Sequence, residues 1–396
     1  MENTYVAGVG MTPFVKSSEL TVSALARWAA ADACADAGIE LGDVELVFYG
    51  NATEGLMTGQ EMIRGQATFQ GTAAAGIPVV NVENACASSS TAVHLAVMAV
   101  QSGQADVVLA LGAEKMSHPD KGRAMRALGS AVNLERLSSL RADLYGDGEP
   151  GTGSLFMDIY ADMAKKYMAQ AQVTERDFAE VVVKSHRYAS LNPRAQYREL
   201  VTVDEVLSSR LISSPLRLLM CSPVGDGAAA VVVCSARAAR RLGRAQVRIL
   251  ASTLVSGRAD AEKSTAVERA AELAYERAGV GPEDLSVVEV HDAAAPAELM
   301  MYEELGLCAR GDGAGMLARG ETVLGGPRPV NTSGGLISKG HPVGATGCAQ
   351  LVELTEQLRG TADGRQVEGA RVGLAENAGG YLGPDPAAVC VTILGR

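Results

Sequence analysis

The sequence predicts an α/β fold built from two similar halves, with a functional site between them. An Ala-rich helical segment followed by a short β-branched strand occurs twice, at residues 23–48 and 264–289. Each copy is followed further along the chain by a turn of small residues that leads into a helix, and these turns contain Cys86 and His341. Ligands of α/β sheets bind where strand ends and helix starts converge, so we expect both turns to face one site.

The internal repeat aligns Gly38 with Gly279, an offset of 241 residues (279 − 38). In each copy an amphipathic helix ends at this glycine, which suits a left-handed C-cap, and an acidic turn and a short strand follow. The repeat therefore predicts a duplicated fold with an N-terminal half at residues 1–240 and a C-terminal half at residues 241–396.

Residues 115–222 differ in character from both copies of the repeat, and we expect them to form a large excursion inserted into the first half. They carry many Arg and Lys residues, a Gly- and Pro-rich stretch at 146–153, and a Met- and Tyr-rich helix at 156–168. The methionines of this helix have a helical spacing that favours ordinary core over an acyl-binding pocket: Met157, Met163 and Met168.

Composition excludes several classes of function. The 396 residues carry a net charge of −11, which argues against nucleic-acid binding and against docking on anionic membranes. No apolar run reaches the ~18 residues of a membrane span, and the first residues lack the basic and apolar regions of a secretion signal. The seven cysteines are scattered without a C-x-x-C pair, which is typical of a reduced protein. We therefore expect a cytoplasmic protein without a metal site.

Cys86 is the candidate nucleophile. It lies between a β-like run at 77–82 and a helical run at 91–100, so backbone N–H groups and the positive end of a helix should favour its thiolate. Its small neighbours leave room for a substrate. Most cysteines are small buried hydrophobes, so this interpretation depends on the fold bringing His341 to Cys86.

Four segments in order resemble the thiolase superfamily over essentially the whole chain: NACAS at 84–88, GDGAAA at 225–230, HDAA at 291–294 and GHPVGA at 340–345. Three further segments resemble its sterol-carrier-protein (SCP-x) branch: AKKYM at 164–168, LNPRAQY at 191–197 and PLRLL at 215–219. The resemblance implies a five-layered αβαβα fold made of two βαβαβ-type halves. It also implies a tight dimer, an acyl-CoA substrate and an acyl-cysteine intermediate.

By the same resemblance, Cys86 is the nucleophile and His341 is the base that activates it. His291 stands where thiolases carry an Asn or His that helps to bind the thioester oxygen. The backbone N–H groups of Cys86 and Gly380 would form the other oxyanion hole. Attack on a thioester needs such a thiolate, a partner for its proton and donors for the oxyanion. We expect the remaining histidines to be structural: His94, His118 and His186.

The sequence departs from the thiolase pattern at the second catalytic cysteine, which moves a proton on or off the second substrate. Asn377 stands at its usual position, and Ala293 stands at the position where sterol-carrier-type thiolases carry a replacement. Cys390 is too far along a predicted strand to substitute. General acid–base help contributes ~10²–10⁴-fold, so a plain degradative mechanism would be inefficient. The remaining Cys-His-His set resembles that of β-ketoacyl synthases, which form the carbanion by decarboxylation.

The first hypothesis is an acyl-CoA-dependent acyltransferase that transfers the acyl group of Cys86 to a carbon nucleophile or to CoA, by condensation or thiolysis. It needs no permanently bound cofactor; the substrate is a coenzyme A thioester or an acyl carrier. The alternative is a non-catalytic subunit that binds acyl-CoA or lipid. The resemblance implies a homodimer or dimer of dimers, and it allows a small OB-fold, zinc-ribbon partner.

Overall fold

The computed structural model describes residues 3–146, 154–243, 247–258 and 264–396, so residues 147–153 of the Gly- and Pro-rich stretch lie outside it. The strands are β1 (Thr4–Met11), β2 (Leu46–Gly50), β3 (Val79–Val82), β4 (Val107–Lys115), β5 (Leu211–Ser213), β6 (Leu216–Arg217), β7 (Asp226–Ser235), β8 (Val247–Ser256), β9 (Val287–Glu289), β10 (Val372–Gly379) and β11 (Ala388–Gly395). The helices are α1 (Val22–Ala37), α2 (Glu54–Thr58), α3 (Arg64–Phe69), α4 (Ser88–Gln101), α5 (Lys121–Leu128), α6 (Leu137–Tyr145), α7 (Leu155–Ala171), α8 (Glu175–Ser190), α9 (Val203–Ser208), α10 (Ala236–Leu242), α11 (Ala266–Ala278), α12 (Ala295–Glu304), α13 (Gly313–Ala318) and α14 (Thr346–Arg359).

Nine strands are hydrogen-bonded in the order β3-β2-β4-β7-β1-β8-β11-β10-β9. The order has two related halves. The first part of the chain supplies the strands β3-β2-β4-β7-β1. The second part supplies β8-β11-β10-β9, which have the equivalent arrangement in the reverse direction across the sheet. Val330 forms a bridge with Val288 beside β9. A short antiparallel pairing of β1 with β8 joins them. The strand order is therefore that of a duplicated unit.

The repeat predicted from the sequence is confirmed element by element. In the first copy α1 ends at Gly38 (φ 73°), a 3₁₀ turn follows at Leu41–Asp43, and β2 comes next. In the second copy α11 ends at Gly279 (φ 68°), a 3₁₀ turn follows at Pro282–Asp284, and β9 comes next. Both glycines take the left-handed conformation that ends a helix.

The elements form the five layers αβαβα. Along β4, Leu109 belongs to an outer core with α1, whereas its neighbour Val108 packs with the central helices α4 and α14. Along β10, Ala375 joins the same central core, whereas Leu374 packs outward with α11 and α12. This alternation follows from the two-residue period of a strand. Both faces of each half are thus covered by helices.

The N-termini of α4 and α14 meet in the central layer. A Cβ atom on Gly347 would lie 2.6 Å from the backbone nitrogen of Ser90, so only glycine permits the contact. Close by, the backbone N–H of Cys348 donates to Ser89 Oγ at 3.0 Å. The turns that carry Cys86 and His341 immediately precede these helices, and the contact brings the turns together.

The chain between β4 and β7, which are neighbours in the sheet, contains α5 to α9 and the small hairpin β5–β6. Its helices α7 and α8 pack in the same core as α11 and α12. Inside this core Lys184 of α8 is buried and bonded to Glu298 of α12. Among the described residues, no helix combines the length and the hydropathy needed to cross a membrane.

Candidate active site

Cys86 lies in a 3₁₀ turn, Ala85–Ala87, at the start of α4. The preceding Ala85 has φ 49°, a left-handed conformation that costs an L-residue about 1–2 kcal/mol. The turn is supported by Ser88, whose hydroxyl donates to Ala85 O at 2.6 Å and accepts from Asn84 N at 3.0 Å. Backbone strain at the candidate nucleophile is thus held by hydrogen bonds from the helix that follows.

His341 is placed to take a proton from Cys86. Its Nε2 lies 3.3 Å from Cys86 Sγ, and its Nδ1 lies 2.7 Å from Thr346 Oγ1. The Thr346 hydroxyl donates to Pro342 O at 3.3 Å, so it accepts from Nδ1–H. Nε2 is then the unprotonated nitrogen and faces the sulfur, which is the tautomer that a general base requires.

His291 joins this pair from the end of β9. Its backbone N–H donates to Glu376 Oε2 at 2.9 Å, and its ring meets the His341 ring edge to face, with centroids 5.2 Å apart. The Nε2 atom of His291 is buried and has no hydrogen-bond partner among the described residues. A buried polar atom without a partner is costly, which is the state expected of a group that bonds to substrate.

Burial opposes the thiolate expected at Cys86. Burial raises the pKa of the Cys86 thiol to about 12, and the charge of Glu114 acts in the same direction. Burial also lowers the pKa of His291 to about 4 and holds that of His341 well below its usual value. All three groups are neutral at pH 7, because burial outweighs the backbone N–H groups at the sulfur. Attack by Cys86 must therefore be coupled to proton transfer.

Two backbone N–H groups point at the reacting sulfur. Those of Cys86 and Gly380 both hydrogen-bond to Sγ and partly lower its pKa. Gly380 follows β10 and has φ 66°, and a Cβ atom there would lie 3.0 Å from Ala387 Cβ and 3.2 Å from Ala131 O. The structure thus brings the two amides named in the sequence analysis to one point, as an oxyanion hole requires.

Cys86, His291 and His341 form one wall of a cavity of about 620 Å³. Its other walls are mainly apolar and come largely from α5, α7 and the β5–β6 region: Met125, Leu128, Phe156, Ile159, Ile212 and Leu218. Met157 and Met163 also line the cavity, so the prediction that they are ordinary core is wrong. Met168 packs against the core, as predicted. The spacing of these methionines correctly predicts a helix, but the helix face that carries Met157 and Met163 lines a cavity.

Neither of the two positions at which thiolases carry the second catalytic cysteine places an acid or a base in the cavity. Asn377 is buried, and its Oδ1 accepts from Ser90 Oγ at 2.5 Å. Ala293 lines the cavity but has no titratable group. Cys390 pairs with Asn377 across the β10–β11 ladder, and its sulfur contacts Thr91 Oγ1 at 3.7 Å. Its thiol faces α4 and is absent from the cavity wall.

Sequence reasoning missed Glu114, which ties the turn of His341 to the loop that follows β2. This buried carboxylate accepts five hydrogen bonds: from Asn51 Nδ2, Ala52 N, Thr53 N, Thr53 Oγ1 and Gly344 N. Gly344 belongs to the turn of His341, and Thr53 lines the cavity. The available signal was an acidic residue near the end of the buried apolar strand β4. Thr346, which fixes the His341 tautomer, was missed as well.

The Cys86, His291 and His341 donor atoms lie within 4.8 Å of one another, so the trio could also hold a soft ion such as Zn²⁺. A bound ion would take the sulfur that acyl transfer needs. The other histidines lie outside the cavity wall and have local partners: His94 with Ser252, His118 with Arg123, and His186 with Glu199 O.

Comparison with known proteins gives matches over nearly the whole chain. Residues 4–237 match the model "Thiolase, N-terminal domain" and residues 249–396 match "Thiolase C-terminal domain-like". An acetyl-CoA acetyltransferase of Methanothermobacter thermautotrophicus is 38% identical over 97% of this chain and 98% of its own length. Benzoylsuccinyl-CoA thiolase subunit BbsB of Thauera aromatica is 36% identical over 95% of this chain and 94% of its own.

A sterol carrier protein 2 of Gallus gallus is 36% identical over 95% of this chain and 69% of its own length. Among solved structures, the Ltp2-ChsH2(DUF35) aldolase has a TM-score of 0.80 and 27% sequence identity, covering 100% of this chain and 98% of that chain. One of these relatives is named as a subunit, and the solved structure is named with a DUF35 component.

Proposed function

The chain belongs to the thiolase family and is an acyltransferase of the thiolase type, and we propose that it forms an acyl thioester on Cys86. The observation that carries this proposal is the 3.3 Å contact between Cys86 Sγ and His341 Nε2. The contact lies at the wall of a cavity large enough for the acyl part of an acyl-CoA. Cys86, His291 and His341 are the proposed catalytic residues.

Acylation follows from the geometry. His341 Nε2 takes the proton of Cys86 as the sulfur attacks the thioester carbon of an acyl-CoA. The backbone N–H groups of Cys86 and Gly380 then stabilise the negative oxygen of the tetrahedral intermediate. The bond between the acyl carbon and the CoA sulfur breaks, and the protonated His341 returns the proton to that sulfur. The substrate is a coenzyme A thioester, and no resident cofactor takes part.

The second half of the reaction transfers the acyl group from Cys86 to an acceptor. Transfer to CoA is the reverse of acylation and needs no further group. Transfer to carbon needs a carbanion, and neither Asn377 nor Ala293 supplies a thiol to form one. We therefore favour acceptors whose carbanion arises by decarboxylation or is already present, with His291 beside the acceptor's thioester oxygen.

The first prediction is covalent labelling of Cys86. Wild-type protein incubated with acetyl-CoA, octanoyl-CoA or malonyl-CoA should gain the mass of one acyl group in intact-protein mass spectrometry. The Cys86→Ala variant should gain none. Cys221→Ala is the matched control, because Cys221 also lines the cavity but its thiol lies 3.4 Å from Arg217 O. A mass gain that persists in Cys86→Ala would contradict the proposal.

The alternative function is an auxiliary acyl-CoA-binding subunit that works with a small OB-fold zinc protein. Two similarities favour a partner: one relative is named as a subunit, and one solved structure is named with a DUF35 component. The same experiment separates the two functions. Labelling only when a co-expressed partner of this type is present would mean a shared enzyme, and no labelling in either state would favour the binding role.

We also propose that the chain forms a homodimer, alone or as a dimer of dimers, through the edge strand β3. This strand is the outer strand of the nine and is paired on one side only in the described part of the chain. Large apolar side chains near it are exposed: Met62, Ile63, Val80 and Met98. An exposed apolar edge strand is a template for pairing with a second copy.

The second prediction is that Val80→Lys converts the homodimer to monomer, since a charge on the edge opposes strand pairing. The measurement is molar mass by light scattering after gel filtration. Leu200→Lys is the control, because Leu200 is exposed but lies on a different segment, far from β3 in the chain. A monomeric wild type, or a dimer that survives Val80→Lys, would contradict the proposed interface.

A reducing compartment such as the cytoplasm suits this chain. Its seven cysteines are all free, including the Cys86 thiol on which acyl transfer depends. Structural disulfides are the mark of oxidising compartments. We therefore propose a cytoplasmic location.

A further inference from the structure

A short π-helical segment, Gly335–Lys339, leads directly into the turn of His341. It begins after Gly334, whose φ of 102° is a left-handed conformation that favours glycine, and all five of its residues are buried. π-helical turns are rare in proteins and are frequent at functional sites. The contacts that hold this segment in place therefore bear on the position of His341.

The end of β9, which carries His291, holds the π-helical segment at both of its ends. Near the start of the segment, the backbone N–H of Leu336 donates to Asp292 Oδ1 at 2.7 Å. At its last residue, Lys339 Nζ lies 3.5 Å from Oε2 of Glu289, the residue at which β9 ends. Two acidic residues that flank His291 in the chain are thus the ones that contact the segment before His341.

The ion pair between Lys339 and Glu289 has the same relation to both catalytic histidines. Lys339 precedes His341 by two residues, and Glu289 precedes His291 by two residues. A change in the separation of the two charged groups would therefore pass through two residues of backbone to each imidazole. The two rings lie with their centroids 5.2 Å apart, and His341 Nε2 lies 3.3 Å from Cys86 Sγ. This reacting geometry is what the ion pair can control.

Burial makes this ion pair a poor source of stability. Lys339 is 1% exposed and Glu289 is fully buried, with two further hydrogen bonds to Glu289 from Ser333 N at 3.1 Å and Ser333 Oγ at 2.5 Å. Removing two charges from water costs about as much free energy as their attraction returns, so an uncharged pair of similar shape is often at least as stable. A buried ion pair at this position is better explained by the geometry that it imposes.

From these contacts we infer that Lys339 and Glu289 are positioning residues for acyl transfer. Their ion pair holds the π-helical segment against the end of β9, which fixes the spacing of His291 and His341 and keeps His341 Nε2 within reach of Cys86. Neither charged residue lines the cavity, so both act through the histidines and not on the substrate. The role rests on the proposed acyl transfer at Cys86.

The test is a double-mutant cycle with Lys339→Met, Glu289→Gln and the variant that carries both changes. Each single change leaves a buried charge unpaired and should lower the urea midpoint of unfolding, whereas the double variant has no unpaired charge and should regain most of the loss. The maximal rate of acylation by acetyl-CoA should be about 10–10²-fold slower in all three, because the histidines are displaced. The double variant should be no slower than the single variants, since both changes remove one contact. The acetyl-CoA concentration for half-maximal rate should stay at the wild-type value. Rates come from rapid-quench intact-protein mass spectrometry.

Lys184→Met combined with Glu298→Gln is the matched control. This ion pair is similarly buried but joins α8 to α12, so its loss should change the urea midpoint and leave the acylation rate at the wild-type value. A wild-type rate in the double variant of Lys339 and Glu289 would overturn the inference. So would rates that follow the urea midpoints through the three variants, as a purely structural ion pair predicts, or single losses that multiply in the double variant. No labelling of the wild type by acetyl-CoA would instead contradict the acyl transfer itself.

Discussion

Replacement of His341 by Ala should slow acylation of Cys86 by about 10²–10⁴-fold at pH 7, the range that general base catalysis contributes. The loss is large because burial raises the pKa of the Cys86 thiol to about 12, so free thiolate is scarce at neutral pH. In the wild type, His341 Nε2 removes the proton during attack from 3.3 Å away. The measurement is the single-turnover acylation rate with acetyl-CoA.

The pH dependence provides an independent check. The pKa of His341 lies well below its usual value, so the wild-type rate should be flat from pH 6.5 to 9 and fall only when acid protonates the imidazole. The variant depends on thiolate alone, and its rate should rise about tenfold per pH unit toward the Cys86 pKa. His94→Gln is the control, since His94 is on α4, the helix that follows Cys86, but bonds to Ser252. A flat profile for His341→Ala would disprove the base role.

Replacement of Glu114 by Ala should lower the free energy of unfolding by about 3–5 kcal/mol, the cost of leaving buried polar groups without their charged partner. The carboxylate is fully buried and accepts from Asn51, Ala52, Thr53 and Gly344, so its removal takes away five hydrogen bonds at once. Acylation should also slow, because the turn of His341 loses its tie to the loop after β2. Urea denaturation and the acylation rate measure the two effects.

Two variants test whether the hydrogen bonds of Glu114 carry the effect. Glu114→Gln keeps the shape and one acceptor oxygen, and it should cost about half as much as the alanine variant. Glu61→Ala removes a mostly exposed carboxylate whose ion pair with Arg64 is 3.4 Å long, and it should cost less than about 1 kcal/mol. Equal stability of Glu114→Ala and wild type would show that water replaces the carboxylate.

The features that sequence reasoning found are those with a local signal. The helix–glycine–strand repeat can be recognised from the spacing of residues along the chain. The two helix–strand pairs, α1 with β2 and α11 with β9, could therefore be predicted. Cys86 and His341 were predictable because each lies in a turn of small residues before a helix. The division of the chain at about residue 240 is also based on the repeat, and it stays a prediction.

The features that sequence reasoning missed depend on contacts between distant segments. Glu114 gains its role only when the turn of His341 is placed above β4. Helical spacing placed Met157 and Met163 on a buried face, but whether that face meets other side chains or a cavity is decided by the fold. The backbone N–H groups lower the pKa of Cys86 as expected from the helix start, but the larger opposing effect of burial depends on the fold and is not visible in the sequence.

The contact between Gly347 and Ser90 has a consequence for the origin of such a site. It joins the starts of α4 and α14, one helix from each half, so a protein with one half could assemble this junction only by pairing two identical chains. Two identical chains would place the same residue on both sides, either two thiols or two imidazoles. Joining the halves in one polypeptide removes that restriction. Each side can then differ, so the nucleophile can precede one helix and its base can precede the other.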